Sequence, residues 1–392
     1  MTPVLLAWQA SSLSGWGLVG LNVFFHWSVS GDIQPLAGSP IGPDELAFVD
    51  PLRRHRIQAS VAQSNKTGEM LQARMLAANG RLKLDFPVVH ALGNGFRTVT
   101  AELRGSNNVG RIVFENTDTQ IAAKQWAHEY DRLVCISEWN ASLLKQWCTT
   151  DVVVTHEGID PSVFFPAPRS GLMNPDNFYI FSGGKIEYRK GQDIVLLAFR
   201  EFSEKHPDAM LVTSWQNPWP EVARGFKGRL EAPVEIGADG RLQIRKWASD
   251  NGIDPERVID IGLISNQLMP AVLREMDCAI FPSRCEGGTN LVGMEAMACR
   301  VPVVFANNTG VRDIIDDGNC IALKRQSPVP RSEGSGTEDW GESDVEELVD
   351  ALERLYASPT LREKIGARGA GYMATRTWRT HSAMLRDVVL DR

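Results

Sequence analysis

Short apolar runs, closed by loops rich in Gly, Pro, Ser, Thr and Asn, recur along the chain, and longer segments with helical spacing lie between them. The runs at 4–8, 86–91, 111–114, 133–136 and 152–154 predict buried strands in the first half. Those at 178–181, 210–214, 258–262, 278–281 and 302–305 predict a second set. Segments 18–27, 120–132, 194–202, 291–299, 345–356 and 359–374 predict helices between the strands. Ser137 is a good N-cap for a helix running to 147. Strands alternating with helices specify parallel sheets covered by helices, an α/β class. Residues 51–79 read as a further helix and 30–50, rich in Pro and Gly, as a loop. The polar Gly-, Ser- and Pro-rich stretch 326–343 reads as a mobile insertion. The Trp-bearing segment 215–228 fits no element.

A chain of 392 residues exceeds what one core usually serves, so two domains are expected. The Pro-rich segment 166–177 is the natural linker. A net charge of −7 does not favour a nucleic-acid partner. The cysteines at 135, 148, 278, 285, 299 and 320 are scattered and read as small core residues in a reducing compartment. The first residues lack a basic region and a long apolar stretch, so no signal peptide is expected, and no run approaches the ~20 residues of a membrane span. The expected location is cytoplasmic. The basic cluster Arg53, Arg54, His55 and Arg56 is either a solvated helix face or a patch for phosphate or anionic lipid, which leaves a peripheral membrane contact open.

The chemistry concentrates at 276–305. There a strand runs into a Gly287-Gly288 loop, Thr289 and Asn290 offer N-caps, and a helix begins at Leu291. Such a loop aims backbone N–H groups and the positive helix end at one point, which suits phosphate. Glu286 and Glu295 frame that point. Carboxylates there favour sugar hydroxyls, with Glu295 on the helix about 8 Å from its start, roughly the reach from a diphosphate to a ribose. A second strand–helix junction carries Gly183, Gly184, Lys185, Lys190 and Gly191. Two cations at one junction suit a departing diphosphate. In the first half, His90, Asn94, Glu115 and Asn116 follow strand ends, where sites in open α/β sheets lie. His90 reads equally as a core imidazole. Residues 15–20 spell G-x-G-x-x-G, but six residues (9–14) separate Gly15 from the strand and no acid ends a following strand, so a nicotinamide site is not expected.

The 276–305 block, with Met-Glu-Ala-Met-Ala-Cys followed by Arg-Val-Pro-Val-Val, resembles the retaining GT-B glycosyltransferases of family 4, the glycosyl transferases group 1. The 182–193 junction and the phrase His-Glu-Gly-Ile-Asp with Phe-Phe-Pro at 156–166 carry the same likeness. The resemblance implies two Rossmann-like domains facing across a cleft: residues 1–165 on the acceptor side, 170–374 binding a nucleotide sugar, and a final helix, 375–392, crossing back to the first. It implies hexosyl transfer with retained configuration from a nucleotide diphosphate sugar to a glycan, lipid or small-molecule acceptor. Lys185, Lys190 and Glu286 would act on the diphosphate and sugar. Gly15, Gly17, Gly184, Gly262, Gly288, Thr289, Asn290, Leu291 and Glu295 would hold the donor. Trp16, His90, Asn94, Glu115 and Asn116 would line the cleft. No Asp-x-Asp pair is present, so neither metal nor cofactor is expected. The chain departs from the family in enclosing eight residues, 287–294, between the two glutamates where the family has seven. It also carries Glu115 where many members have a histidine. The rival readings are another GT-B enzyme, either a nucleotide-sugar epimerase or a sugar phosphorylase, and a non-catalytic sugar-nucleotide-binding subunit.

Overall fold

The computed structural model describes residues 1–12, 15–80, 82–97, 102–217, 219–331 and 336–391. Leu13 and Ser14 of the loop before Gly15, Pro218 of the Trp-bearing segment and positions 332–335 of the polar stretch lie outside the described residues.

The first-half strands are β1 (Thr2–Leu6), β2 (Ile33–Ala37), β3 (Val88–Leu92), β4 (Asn108–Ile112), β5 (Arg132–Cys135) and β6 (Asp151–Val154). They form one parallel sheet in the order β2-β1-β3-β4-β5-β6. The second-half strands are β7 (Phe178–Gly183), β8 (Ala209–Ser214), β9 (Val258–Asp260), β10 (Cys278–Phe281), β11 (Val303–Ala306) and β12 (Ile321–Leu323). They form another in the order β9-β8-β7-β10-β11-β12. Each order reverses beside its first strand, between β1 and β3 in one sheet and between β7 and β10 in the other. Ligands in such sheets sit at the carboxyl ends of the strands at that reversal.

Local chemistry explains the main elements. Asp50 caps the Pro51–Ala77 helix, accepting from Arg53 N, and Pro51 fills the first turn where no N–H is needed. Ser137 Oγ accepts from Asn140 N and opens the Glu138–Trp147 helix. The Gln192–Lys205 helix buries Ile194, Val195, Leu196, Phe199 and Phe202 in the core of the second domain. Each such large side chain contributes about 1.5–3 kcal/mol.

Two sequence expectations are corrected. Residues 30–50 are not all loop, because Ile33–Ala37 is a strand. It pairs only with β1, so it is an edge strand, where a sheet accepts a proline such as Pro35 within a strand. Of the stretch 326–343, the described residues 326–331 and 336–343 are not a loose insertion. Gln326–Pro328 pairs antiparallel with Gly341–Ser343, and Val329 and Trp340 are buried in a core of the first domain. Its polar composition hid this because its apolar partners belong to the other domain.

The chain crosses between domains twice, and the crossings pair. Ile159 N donates to Arg376 O and Trp378 N to Ile159 O. Gly158 lies so close that a Cβ there would fall 2.2 Å from the carbonyl carbon of Thr377. The Trp378–Val389 helix then packs on the Gly15–Ser30 helix, burying Leu385 and Val389 in the first domain, while Trp27 Nε1 donates to Ser382 O at 2.8 Å.

Candidate active site

The loop after β7 carries Gly184, Lys185, Arg189 and Lys190, and the loop after β10 carries Glu286. The two loops meet at the strand-order reversal of the second sheet. Gly191 makes the meeting tight. Its φ is +71°, and a Cβ there would lie 2.4 Å from the carbonyl oxygen of Pro282. Lys190 Nζ reaches both Glu286 oxygens, at 2.9 and 2.8 Å, and Arg189 Nη1 reaches Oε2 at 3.0 Å. Ser283 Oγ and Asn290 Nδ2 also donate to Glu286 Oε1. Burial opposes the Glu286 charge, but Lys190 and Arg189 outweigh it and hold the carboxyl below its ordinary range.

Arg189 is the centre of the cluster, and the sequence reading passed it over. Besides Glu286 it contacts Glu187 at 2.6 Å and, across the domain boundary, Glu115 at 3.5 Å. Burial disfavours its charge, yet the carboxylates of Glu115, Glu286 and Glu187 prevail and hold the guanidinium protonated. Lys185 pairs with Glu187 at 2.6 Å, and its ammonium lies 5.9 Å from the Trp219 ring centroid. Lys185, Arg189 and Lys190 thus face Glu115, Glu187 and Glu286, and the cluster is formally neutral. A diphosphate placed there competes with Glu286 and Glu115 for the same cations.

The loop after β10 is pressed against the first domain. A Cβ on Gly287 would lie 2.5 Å from Phe114 O, and one on Gly288 would lie 2.4 Å from Ile136 Cδ1. Ser137 Oγ donates to Gly287 O at 2.7 Å. These glycines are therefore explained by the approach of the two domains. Thr289 is buried, with its hydroxyl on Met294 Sδ. Asn290 adopts φ +74° and caps the Leu291–Ala298 helix by accepting from Gly293 N. Leu291 packs against cores of both domains.

Glu295 is buried on that helix and accepts from Asn266 Nδ2 at 2.5 Å. With no cation beside it, burial pushes its carboxyl up to about 8. Gly262 follows β9 with φ +71°, its N–H on Asp260 and its carbonyl on Ser214 Oγ.

The first domain contributes a cavity of about 290 Å³ at its own reversal point, lined by Trp8, Gln9, Trp16, Gly17, Ala91, Leu92 and Gly93. Gly15 opens the adjoining helix with free space around it. Trp16 is exposed, edge-on to Trp8, with its ring centre 4.7 Å from the Arg111 guanidinium carbon. Asn94 is exposed on the loop after β3, and Asn116 stands beside Glu115. His90 is not brought to the cluster. It is fully buried within the first domain, edge-on to Tyr130 and bonded to Asn108, and burial pushes its imidazole down to about 4.

Two further buried ion pairs escaped the sequence reading. Arg284 makes a bidentate pair with Asp193 and donates to Tyr188 O, tying the two site loops together. Arg111 pairs with Glu157 at 2.5 Å, and a Cβ on Gly288 would lie 4.0 Å from Glu157 Oε2. No periodicity marks an arginine that is buried by its partner. The only signal was proximity in sequence: Arg284 sits two residues before Glu286, and Glu157 lies inside the domain-crossing phrase.

Among the described residues no group of three or more His, Cys, Asp or Glu side chains could hold a metal ion, and no helix is long and apolar enough to cross a membrane.

Two doubly wound parallel sheets whose reversal points meet across a cleft, with the last helix returning to the first domain, define the GT-B fold. Solved structures agree. Sucrose-phosphate synthase of Thermosynechococcus elongatus matches with a TM-score of 0.67 at 13% identity, covering 99% of this chain and 98% of that one. Anabaena HepE, solved with UDP and glucose, matches with a TM-score of 0.64 at 13% identity over the whole of both chains. Residues 166–371 match the sequence profile of the glycosyl transferases group 1, and the chain belongs to that family. Among similar sequences is the D-inositol 3-phosphate glycosyltransferase of Stackebrandtia nassauensis, 27% identical over 271 residues, which are 67% of this chain and 54% of that protein. Another is the GDP-mannose-dependent alpha-(1-6)-phosphatidylinositol monomannoside mannosyltransferase of Mycolicibacterium smegmatis, 24% identical over 315 residues, 76% of this chain and 71% of that protein. The chain thus spans little more than half the length of the first of these relatives.

Proposed function

We propose that the protein is a retaining, metal-independent glycosyltransferase that moves a hexose from a nucleotide diphosphate sugar to a glycan, lipid or small-molecule acceptor. The observation that carries this reading is the convergence of Lys185, Arg189 and Lys190 with the start of the Leu291–Ala298 helix at the reversal point of the second sheet. Family membership and the names of the similar proteins support it.

In this reading the bond from the anomeric carbon to the diphosphate breaks while the acceptor oxygen bonds to that carbon on the same face. The acceptor proton passes to the departing diphosphate oxygen. The lysines and the helix start stabilise the charge that develops there, the part a metal ion plays in other enzymes. Glu286 leaves Lys190 to hold the sugar, Glu295 reads the ribose, and the nucleobase rests near Gly262. The cavity at Trp8 and Trp16 takes the acceptor. The inositol-bearing acceptors named for two relatives are not carried over, because those matches are partial.

A thermal-shift screen of ADP, GDP and UDP with their hexose conjugates tests the reading. A true donor at a hundred times its dissociation constant adds about 2.7 kcal/mol of stability. No shift with any of them removes the reading. Transfer should also survive excess chelator, and a loss restored by magnesium contradicts the proposed handling of the diphosphate.

A further inference from the structure

The polar stretch, as described at 326–331 and 336–343, runs from the second domain to the first-domain side of the candidate site. Its roots belong to the second domain. Gln326–Pro328 and Gly341–Ser343 pair between β12 and the Val345–Ala357 helix, and Gly341 N donates to Arg284 O at 3.0 Å. Its far end lies on the first domain. Trp340 packs in the core with Phe114 and Trp139, and Trp139 Nε1 donates to Asp339 Oδ2 at 3.2 Å.

The bonds fall on one short segment, the strand end that follows β4. Trp340 Nε1 donates to Glu115 O at 3.0 Å. Gly336 N donates to Asn116 Oδ1 at 2.7 Å, and Thr117 N donates to Gly336 O at 3.1 Å. Arg331 pairs with Asp118 at 2.5 Å. Each residue from Glu115 to Asp118 is therefore bonded to this arm. The segment has left the sheet ladder at Ile112, so the arm supplies partners that the sheet no longer does. The Glu115 carboxylate meets Arg189 at 3.5 Å. That single side-chain contact does not pair the backbone groups of the strand end, which the arm's bonds do.

We propose that the arm is a clasp between the domains and that Trp340 is a positioning residue, setting through the Glu115 carbonyl the place at which the Glu115 carboxylate meets Arg189. What the clasp serves rests on the reading of the cluster as the donor site; the clasp itself rests on the contacts alone. It follows that the first domain's carboxylate is placed by a segment of the second, so the cluster is complete only when the arm is seated.

Hydrogen exchange on the full chain tests this without any ligand. Trp340→Phe keeps the buried ring and deletes the N–H to Glu115. Trp340→Ala deletes both. The clasp predicts that Trp340→Ala speeds exchange about ten-fold or more at amides 113–118 and also at 186–190, the loop that the Glu115 carboxylate meets, with Trp340→Phe in between. The Gln192–Lys205 helix should keep its protection. Faster exchange confined to 113–118 overturns the positioning role, because the effect then stops at the strand end. If Trp340→Ala does not fold, Trp340→Phe decides by the same criterion. Titration of both variants with UDP and GDP separates the two ideas. Loss of coupled exchange with normal nucleotide binding defeats the clasp alone. Coupled exchange in a protein that binds neither nucleotide supports the clasp and counts against the donor reading.

Discussion

Lys190 and Glu286 hold one another through both carboxylate oxygens, and Arg189 completes the contact. If Lys190 meets the diphosphate in the transition state, Lys190→Ala should lower turnover about ten- to a thousand-fold, the scale of one lost charge stabiliser. Steady-state kinetics on a folded variant checks it, and wild-type turnover contradicts it. Glu295 makes a different prediction. Folded, it keeps its proton up to about 8, whereas its ordinary value is 4.5. The folded state therefore binds the extra proton between those values, and this residue's contribution to stability falls as pH rises through that window. Glu295→Gln should gain on the wild type from about pH 5 upward and level off above about pH 8. Melting curves that run parallel across that range contradict it. Lys185, Lys190 and Glu286, on loops at strand–helix junctions, and Glu295, on the helix that follows, were legible as positions because motif spacing marked them. Arg189, Arg284, Arg111 and Glu157 were not. Their positions follow from three-dimensional pairing between loops that are far apart in sequence, and a basic residue one place before Lys190 reads as a solvated neighbour until its three carboxylates are seen.

The strands and helices that build the site were largely legible, since β7, β10 and the Leu291–Ala298 helix carry continuous apolar runs closed by glycine loops. What failed was legibility at the edges. Ile33–Ala37 was masked by Pro35, which an edge position tolerates, and Gln326–Pro328 with Gly341–Ser343 was masked by polar composition. The loops themselves depend on glycines for different reasons. Gly191 needs both its left-handed φ and the space that Pro282 occupies. Because the obstacle is a backbone carbonyl, Gly191→Ala should cost about 1–3 kcal/mol and displace Lys190 from Glu286. Denaturant unfolding measures the loss, and an unchanged midpoint contradicts the close approach. Gly287 is limited by Phe114 O of the other domain, so its substitution should disturb the domain contact more than either domain.

Across the molecule, the two sheets each present a reversal point, and several features between them are arranged for close approach: the glycines of the loop after β10, the paired crossings at Ile159 and Thr377, the returning helix and the arm. The α/β class was readable from alternation and the two-domain plan from chain length and the family likeness, but the arm's reach across the cleft was not, because no single-domain pattern records a partner in another domain. The central claim is that Lys190, Arg189 and Glu286 form the diphosphate and sugar end of a donor site whose ribose end is Glu295. Calorimetry of the wild type, Glu286→Ala and Glu295→Ala, each with a free nucleoside diphosphate and with its hexose conjugate, tests it most directly. Glu295→Ala should weaken both ligands about five- to a hundred-fold, the effect of a buried hydroxyl left without its partner. Glu286→Ala frees the cations it neutralises, so it should bind the free diphosphate at least as tightly as the wild type while losing the advantage of the sugar. If Glu286→Ala weakens the free nucleotide as much as Glu295→Ala does, or if neither substitution alters binding, the account is contradicted.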